Sequence, residues 1–154
     1  IDLVLADINE TALRYSRINA ALNGYPATQV IYSDVLRNLD GAFDLVISNA
    51  PYLSYGPTYC NGGPLGLDIP VRIAAEALAR LAPAGRLLLY TGAPVVRGVD
   101  QFFAAVEAML QGHAFTYEEI DPDVFGEELE TPAYAEVDRI AAVALLVTKA
   151  GPHG

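Results

Sequence analysis

Cysteine and histidine are nearly absent from this chain, which carries one thiol, Cys60, and two imidazoles, His113 and His153. A single cysteine makes no internal disulfide and no multi-cysteine zinc site, and two scattered histidines make no cluster. No metal is therefore expected, and a reducing cytoplasm is the expected compartment. Bases are scarce as well. Nine Lys and Arg stand against 19 Asp and Glu, a formal charge of −10 with a pI near 4.4. That is the wrong sign for a surface that must neutralise phosphates by itself, so nucleic acid is disfavoured as a direct partner of this chain. Long apolar runs are missing too: residues 87–90 and 140–147 fall well short of the roughly 20 that cross a bilayer, and no membrane partner is expected.

Apolar material is plentiful. Of the 154 residues, 53% are hydrophobic and 18% charged, and the mean hydropathy of +0.28 excludes intrinsic disorder. The size suits one domain, expected over residues 1–150 with a loose tail at 151–154. The sequence opens on IDLVLAD, a strand already under way without the basic region and cleavage site of a signal peptide, and is expected to be a piece of a longer protein.

Strand-like runs alternate with helical spacing, the pattern of an α/β domain with a mostly parallel sheet. Residues 1–6 form the first run, followed by Asp7 and a helix that Asn9 caps and Gly24 stops. Residues 29–33 and 43–48 read as further strands, ending at Asp34 and Asn49. A Gly- and Pro-rich loop, 50–66, precedes a helix with Ile69, Ile73, Ala77 and Leu81 on one stripe, capped by Asp68 and closed by Pro83 and Gly85. Then come a strand at 86–90, a helix at 100–111 with Phe103, Val106 and Leu110 inward and Gly112 as its terminator, and strands at 115–120 and 141–148. The last two are separated by Asp121, Asp123, Glu127, Glu128 and Glu130. This run reads either as a solvated connection or as a substrate-facing lid that attracts a basic partner. Cys60 has no neighbouring histidine to activate it and reads as an incidental loop thiol.

Ligands of open parallel sheets bind beyond the carboxyl ends of the strands, where Asp7, Asp34 and Asn49 fall. An acid there either caps the next helix or turn, or accepts hydrogen bonds from a vicinal diol. Asn49-Ala50-Pro51-Tyr52, directly after FDLVIS, resembles the Asn-Pro-Pro-Tyr signature of class I S-adenosylmethionine-dependent amino-methyltransferases. DINETALRYSRINAALNG, YSDVL and GGPLGLD are similar to the acidic loop and helix, the adenine-binding turn and the post-signature segment of the release-factor glutamine methyltransferase group.

The resemblance implies a Rossmann-like, doubly wound fold and S-adenosylmethionine as cofactor. It implies that Asp7 holds the ribose hydroxyls, that Ile8 packs on the adenine, and that Asp34 and the Val35 amide meet the adenine edge. Asn49 and the Ala50 carbonyl would accept from the substrate amino group, Pro51 would shape the turn and Tyr52 would lie against the substrate's planar face, with Asn49 also bordering the cofactor. The implied reaction methylates an amide, amine or amino nitrogen of a protein or small molecule, and positioning alone can supply several kcal/mol of its rate.

Two departures stand out. Ala50 replaces the signature's first proline, which removes a fixed φ from the turn. The family's first strand and its glycine-rich loop have no counterpart, so this piece alone is expected to be inactive. A sheet without that strand would leave unpaired backbone groups, and the chain is expected either to dimerise or to re-pair its strands. The rival reading is an inactive, methyltransferase-like interaction module.

Overall fold

The computed structural model describes residues 1–57 and 60–151, so of the expected loose tail 152–154 lie outside the described residues. The chain divides into two compact units, Ile1–Gly41 and Ala42–Gly154. In the first, β1 (Val4–Asp7), α1 (Glu10–Leu22) and β2 (Gln29–Tyr32) follow one another, and β1 pairs β2 in parallel with Asp7 opposite Tyr32. Asn9 caps α1 as its residue type predicts, its side chain accepting from the amides of Thr11 and Ala12. Gly24, at φ +85°, turns the chain out of the helix, and Tyr25 N–H closes the end on the Ala20 carbonyl. Leu13, Ala20, Leu36 and Leu39 form this unit's core.

The second unit contains β3 (Phe43–Asn49), α2 (Asp68–Arg80), β4 (Leu81–Val96), β5 (Val99–Asp100), α3 (Gln101–Leu110), β6 (Ala114–Asp121) and β7 (Arg139–Thr148). Its sheet runs β3-β4-β7-β6, with β5 beside β4. β3 and β4 are parallel, while β7 joins β4 and β6 antiparallel. Among the described residues β1 pairs only β2 and β3 pairs only β4.

Alternation sets the core. Leu87 and Leu89 of β4 share a face with Val147 and Leu145 of β7, and all four are fully buried where α2 and α3 pack on β4. Each such side chain contributes about 1.5–3 kcal/mol relative to exposure. Leu88 and Leu146, paired one position away, lie on the other face and are partly exposed. Further along, residues 91–95 of β4 and 140–143 of β7 are buried regardless of alternation. There a second layer of chain, residues 122–138 and the loop after β3, folds onto the second face. Val124 N–H donates to the Ile140 carbonyl and Asp138 N–H to that of Val95.

Several expectations require correction. Leu67 caps α2, not Asp68, which sits in the first turn with its carboxylate against Gly63. The helix ends at Arg80, before Pro83 and Gly85, because Leu81 is extended and pairs with Phe43 at the start of β4. Leu81 is therefore a buried strand residue and not part of the helical stripe. β4 is far longer than residues 86–90, since its second half gains both β5 and β7 as partners. In α3, Phe102 is the fully buried ring, while Phe103 lies half-buried against Phe115 and Tyr117.

Asp100 caps α3 through Phe103 N–H and also accepts the Tyr117 hydroxyl at 2.6 Å. Burial first, then that hydrogen bond, holds the Tyr117 phenol well above its ordinary value of 10. The folded chain thus keeps a proton that the unfolded chain releases near pH 10. Tyr117's contribution is fully present below that pH and is lost above it, by up to about 1.4 kcal/mol per pH unit. Denaturant titrations of wild type and Tyr117→Phe between neutral pH and pH 11 should converge as pH rises, and parallel curves would contradict this assignment.

Candidate functional site

In the first unit the carboxyl ends of β1 and β2 carry the polar residues. The Asp7 carbonyl accepts from Ser33 N–H, continuing the ladder, and one carboxylate oxygen accepts from Asn9 N–H at 2.8 Å. Asn9 takes the helix cap, and the other Asp7 oxygen has no partner among the described residues. A carboxylate with one oxygen anchored and one available fits a pair of vicinal hydroxyls. Ile8 follows it, 41% exposed. Beyond β2, Val35 takes φ +57°, a conformation that costs a β-branched residue about 1–3 kcal/mol unless its surroundings impose it. Ser33 imposes it: its hydroxyl donates to the Val35 carbonyl at 2.8 Å and accepts from Asn38 N–H at 3.1 Å. Asp34 lies at the turn's edge, paired with Arg37 at 3.0 Å. A shallow pocket among Ile1, Leu3, Tyr25 and Gln29 lies at the opposite, amino ends of these strands and is not part of this set.

In the second unit β3 ends at Asn49, opposite Tyr90, and Asn49 is exposed, not turned inward. Ala50 is buried to 2%, and its amide donates to the Tyr90 carbonyl at 3.1 Å. A proline could not make that bond, so the alanine recovers by hydrogen bonding part of the rigidity that the missing ring would give. The Ala50 carbonyl accepts nothing from the described residues.

The chain then doubles back. Leu53 bridges to Asn61, with Leu53 N–H donating to the Cys60 carbonyl at 2.8 Å and Gly62 N–H to the Leu53 carbonyl at 2.7 Å. This lays Gly62 and Gly66 against the backbone of Pro51 and Tyr52, so close that a Cβ on Gly62 would stand 2.4 Å from the Pro51 oxygen. The Tyr52 ring rests on Gly92 of β4, where a Cβ would come within 3.1 Å, and its centroid is 4.9 Å from that of Phe125. Burial, with smaller repulsive contributions from Tyr90 and Cys60, raises the Tyr52 phenol above 10. At neutral pH it is a neutral packing and stacking surface, not a base.

The second unit thus joins Asn49, Ala50, Pro51 and Tyr52 into one turn at a strand end, and the first unit carries Asp7 and Ile8 at the end of β1 and Asp34 and Val35 beyond the end of the neighbouring β2. Cys60 is a loop thiol directed at the Pro57 carbonyl, 3.2 Å away, and no metal-binding cluster occurs among the described residues. No helix of the described residues is long and apolar enough to cross a membrane. Sequence reading missed the supporting residues Gly62, Gly66, Gly92, Phe125 and Tyr134. The glycine cluster after the signature was a visible signal for the first two, whereas nothing local marks the others.

The sequence pattern described as "Methyltransferase small domain" matches residues 1–117. A release factor glutamine methyltransferase of Deinococcus radiodurans is 34% identical over 101 residues, covering 57% of this chain and 36% of its own length. A ribosomal RNA small subunit methyltransferase C of Pasteurella multocida is 33% identical over 111 residues, covering 68% and 30%. The chain therefore spans about a third of the length of these curated relatives. Among solved structures, a methyltransferase from Pyrococcus furiosus aligns with TM-score 0.57 at 18% identity, over 97% of this chain and 63% of its own. TrmN from Thermus thermophilus aligns with TM-score 0.60 at 17% identity, over 96% and 36%. These likenesses show the class I methyltransferase fold. The expectation against nucleic acid finds no support, because a ribosomal RNA methyltransferase stands among the relatives. With its pattern matched over most of its length and its signature turn at a strand end, the chain belongs to the methyltransferase small domain family.

Proposed function

We propose that the intact protein transfers a methyl group from S-adenosylmethionine to a planar amino nitrogen. The observation that carries this reading is the turn 49–52: an exposed carboxamide, a main-chain carbonyl without a partner among the described residues and an aromatic ring packed on Gly92, all at or directly after the end of one strand. Two such acceptors hold both hydrogens of an NH₂ group, which aims its nitrogen lone pair away from them, and Tyr52 bounds the planar group from the side. Asp7 would hold the ribose hydroxyls, Ile8 would pack on the adenine, and Asp34 with the Val35 amide would bind its edge. The cofactor, when bound, supplies an electrophilic methyl on a sulfonium. The nitrogen's surplus proton leaves to water, since no group in this turn is poised as a base.

A glutamine amide and the exocyclic amino group of a nucleobase share this planar NH₂, so relatives named for glutamine and for ribosomal RNA are both consistent with one acceptor geometry. A small-molecule amine is the third candidate. Among the described residues β3 pairs only β4 and exposes Leu45 and Ile47, which supports pairing of this chain with a second copy, read by light scattering as a homodimer.

Calorimetric titration of the intact protein with S-adenosylmethionine and S-adenosylhomocysteine tests the reading, followed by acceptor assays on glutamine peptides, ribosomal RNA and simple amines. Asp7→Ala should weaken cofactor binding about 10- to 100-fold, the value of hydrogen bonds to a charged group, with only the small loss of stability that follows from freeing Asn9 N–H. Failure of the intact protein to bind either compound would overturn the enzyme reading in favour of an interaction module.

A further inference from the structure

The acidic connection between β6 and β7 reads from sequence as a solvated link or a charged lid, yet its aromatic residues turn inward while its acids face water. Asp121, Asp123, Glu127 and Glu130 are exposed. Tyr134, by contrast, is 2% exposed, and its hydroxyl oxygen accepts Ser54 N–H at 2.7 Å, across 80 residues of sequence. The ring also meets that of Tyr55 edge-on at 6.3 Å. Ser54 is bound on its other side, its hydroxyl accepting Leu65 N–H at 3.1 Å. Phe125 supplies the ring that tilts at 42° against Tyr52. Both aromatics therefore converge on residues 52–54, which directly follow the acceptor pair Asn49 and Ala50, and not on the core beneath α2 and α3. A pair of short 3-10 turns, Gly126–Glu130 and Pro132–Tyr134, sets their spacing, with the Thr131 hydroxyl closing on the Glu128 carbonyl at 2.9 Å.

We propose that Phe125 and Tyr134 are positioning residues of the acceptor site, holding Tyr52 and the backbone after it so that the substrate's planar group meets a fixed wall. This rests on the reading of Asn49–Tyr52 as the acceptor turn. Tyr134 acts through the Ser54 amide, which has no other partner among the described residues, and Phe125 acts through the ring of Tyr52, which also packs close to Gly92. Neither touches the reacting atoms.

The test uses the intact protein, with Asn49→Ala as reference. Tyr134→Phe keeps the ring and removes the acceptor of the Ser54 amide, and kcat should fall about 10-fold, within the range for an orphaned buried donor. Phe125→Ala should raise the acceptor KM about 5- to 10-fold, the scale of a lost aromatic pair, and Phe125→Tyr should restore it. Neither substitution should move the affinity for S-adenosylhomocysteine. Phe125 is only half-buried, so its variant remains informative if the tyrosine variant does not fold. Parallel loss of cofactor affinity and turnover in both variants, or no rescue by Phe125→Tyr, would reduce the pair to structural packing and overturn the proposal. If Asn49→Ala abolishes turnover while both variants keep wild-type kcat and KM, the positioning role alone fails. If Asn49→Ala leaves turnover intact, the acceptor reading fails and this inference with it.

Discussion

Asn49→Ala in the intact protein is expected to lower turnover about 100- to 1,000-fold while changing cofactor affinity less than about threefold, the scale seen when one preorganised polar group is removed from a reacting centre. The carboxamide stands at the last position of β3, exposed and pinned by the parallel register with Tyr90. On the proposed reading, its removal would leave the Ala50 carbonyl as sole acceptor for an NH₂ group that needs two to fix its lone pair. The amino group could then rotate, and near-attack alignment would be lost. Single-turnover kinetics beside calorimetry separates the two effects. Equal losses of turnover and affinity would assign Asn49 to the cofactor instead of the acceptor, and a loss below threefold would remove it from the chemistry.

Gly66→Ala is expected to be the most damaging single change to the turn that supports the site. Gly66 has φ +72°, and a Cβ there would fall 1.9 Å from the Tyr52 carbonyl oxygen and 2.5 Å from its carbon. Those neighbours are backbone and cannot swing aside. The left-handed conformation and the overpacking each cost about 1–3 kcal/mol, so the sum is about 2–6 kcal/mol unless the loop moves away from Tyr52. For a protein of this size each kcal/mol lowers the melting temperature by about 2–4 °C. Gly98→Ala is the control, since Gly98 has φ +76° and open space around it and should show the conformational cost alone. A melting temperature for Gly66→Ala that matches Gly98→Ala, with unchanged turnover, would contradict the close approach. Matching stability with lost turnover would show that the loop had moved.

Local chemistry made much of this molecule readable in one dimension. Alternating apolar residues and strand-end polar groups locate β1, β2 and β3; Asn9 before an amphipathic run starts α1; and Asn49-Ala50-Pro51-Tyr52 after FDLVIS marks the turn proposed to hold the acceptor. Each is a signal carried by neighbours within a few positions, where side-chain direction and backbone geometry are set by sequence spacing. The misreadings share the opposite cause. Asp68 has a cap's composition, but the turn at Gly63–Gly66 moves the cap to Leu67. Leu81 fits the helical stripe, but pairing with Phe43 draws it into β4. Phe103 shares its helical stripe with the core, yet the rings of Phe115 and Tyr117 leave it at the edge while Phe102 goes in.

Sequence by itself determined the family, the strand ends that carry the polar groups and the residues offered for chemistry, because these depend on identity and short-range order. Only the tertiary structure decided what holds them: that Ala50 replaces proline's stiffness with a bond to Tyr90, that Gly66 and Gly92 admit Tyr52, and that Phe125 and Tyr134 return from far along the chain to secure it. Contacts of that kind join residues whose spacing carries no period and whose individual propensities are unremarkable, so they arise only when strands pair and a second layer of chain folds over the sheet.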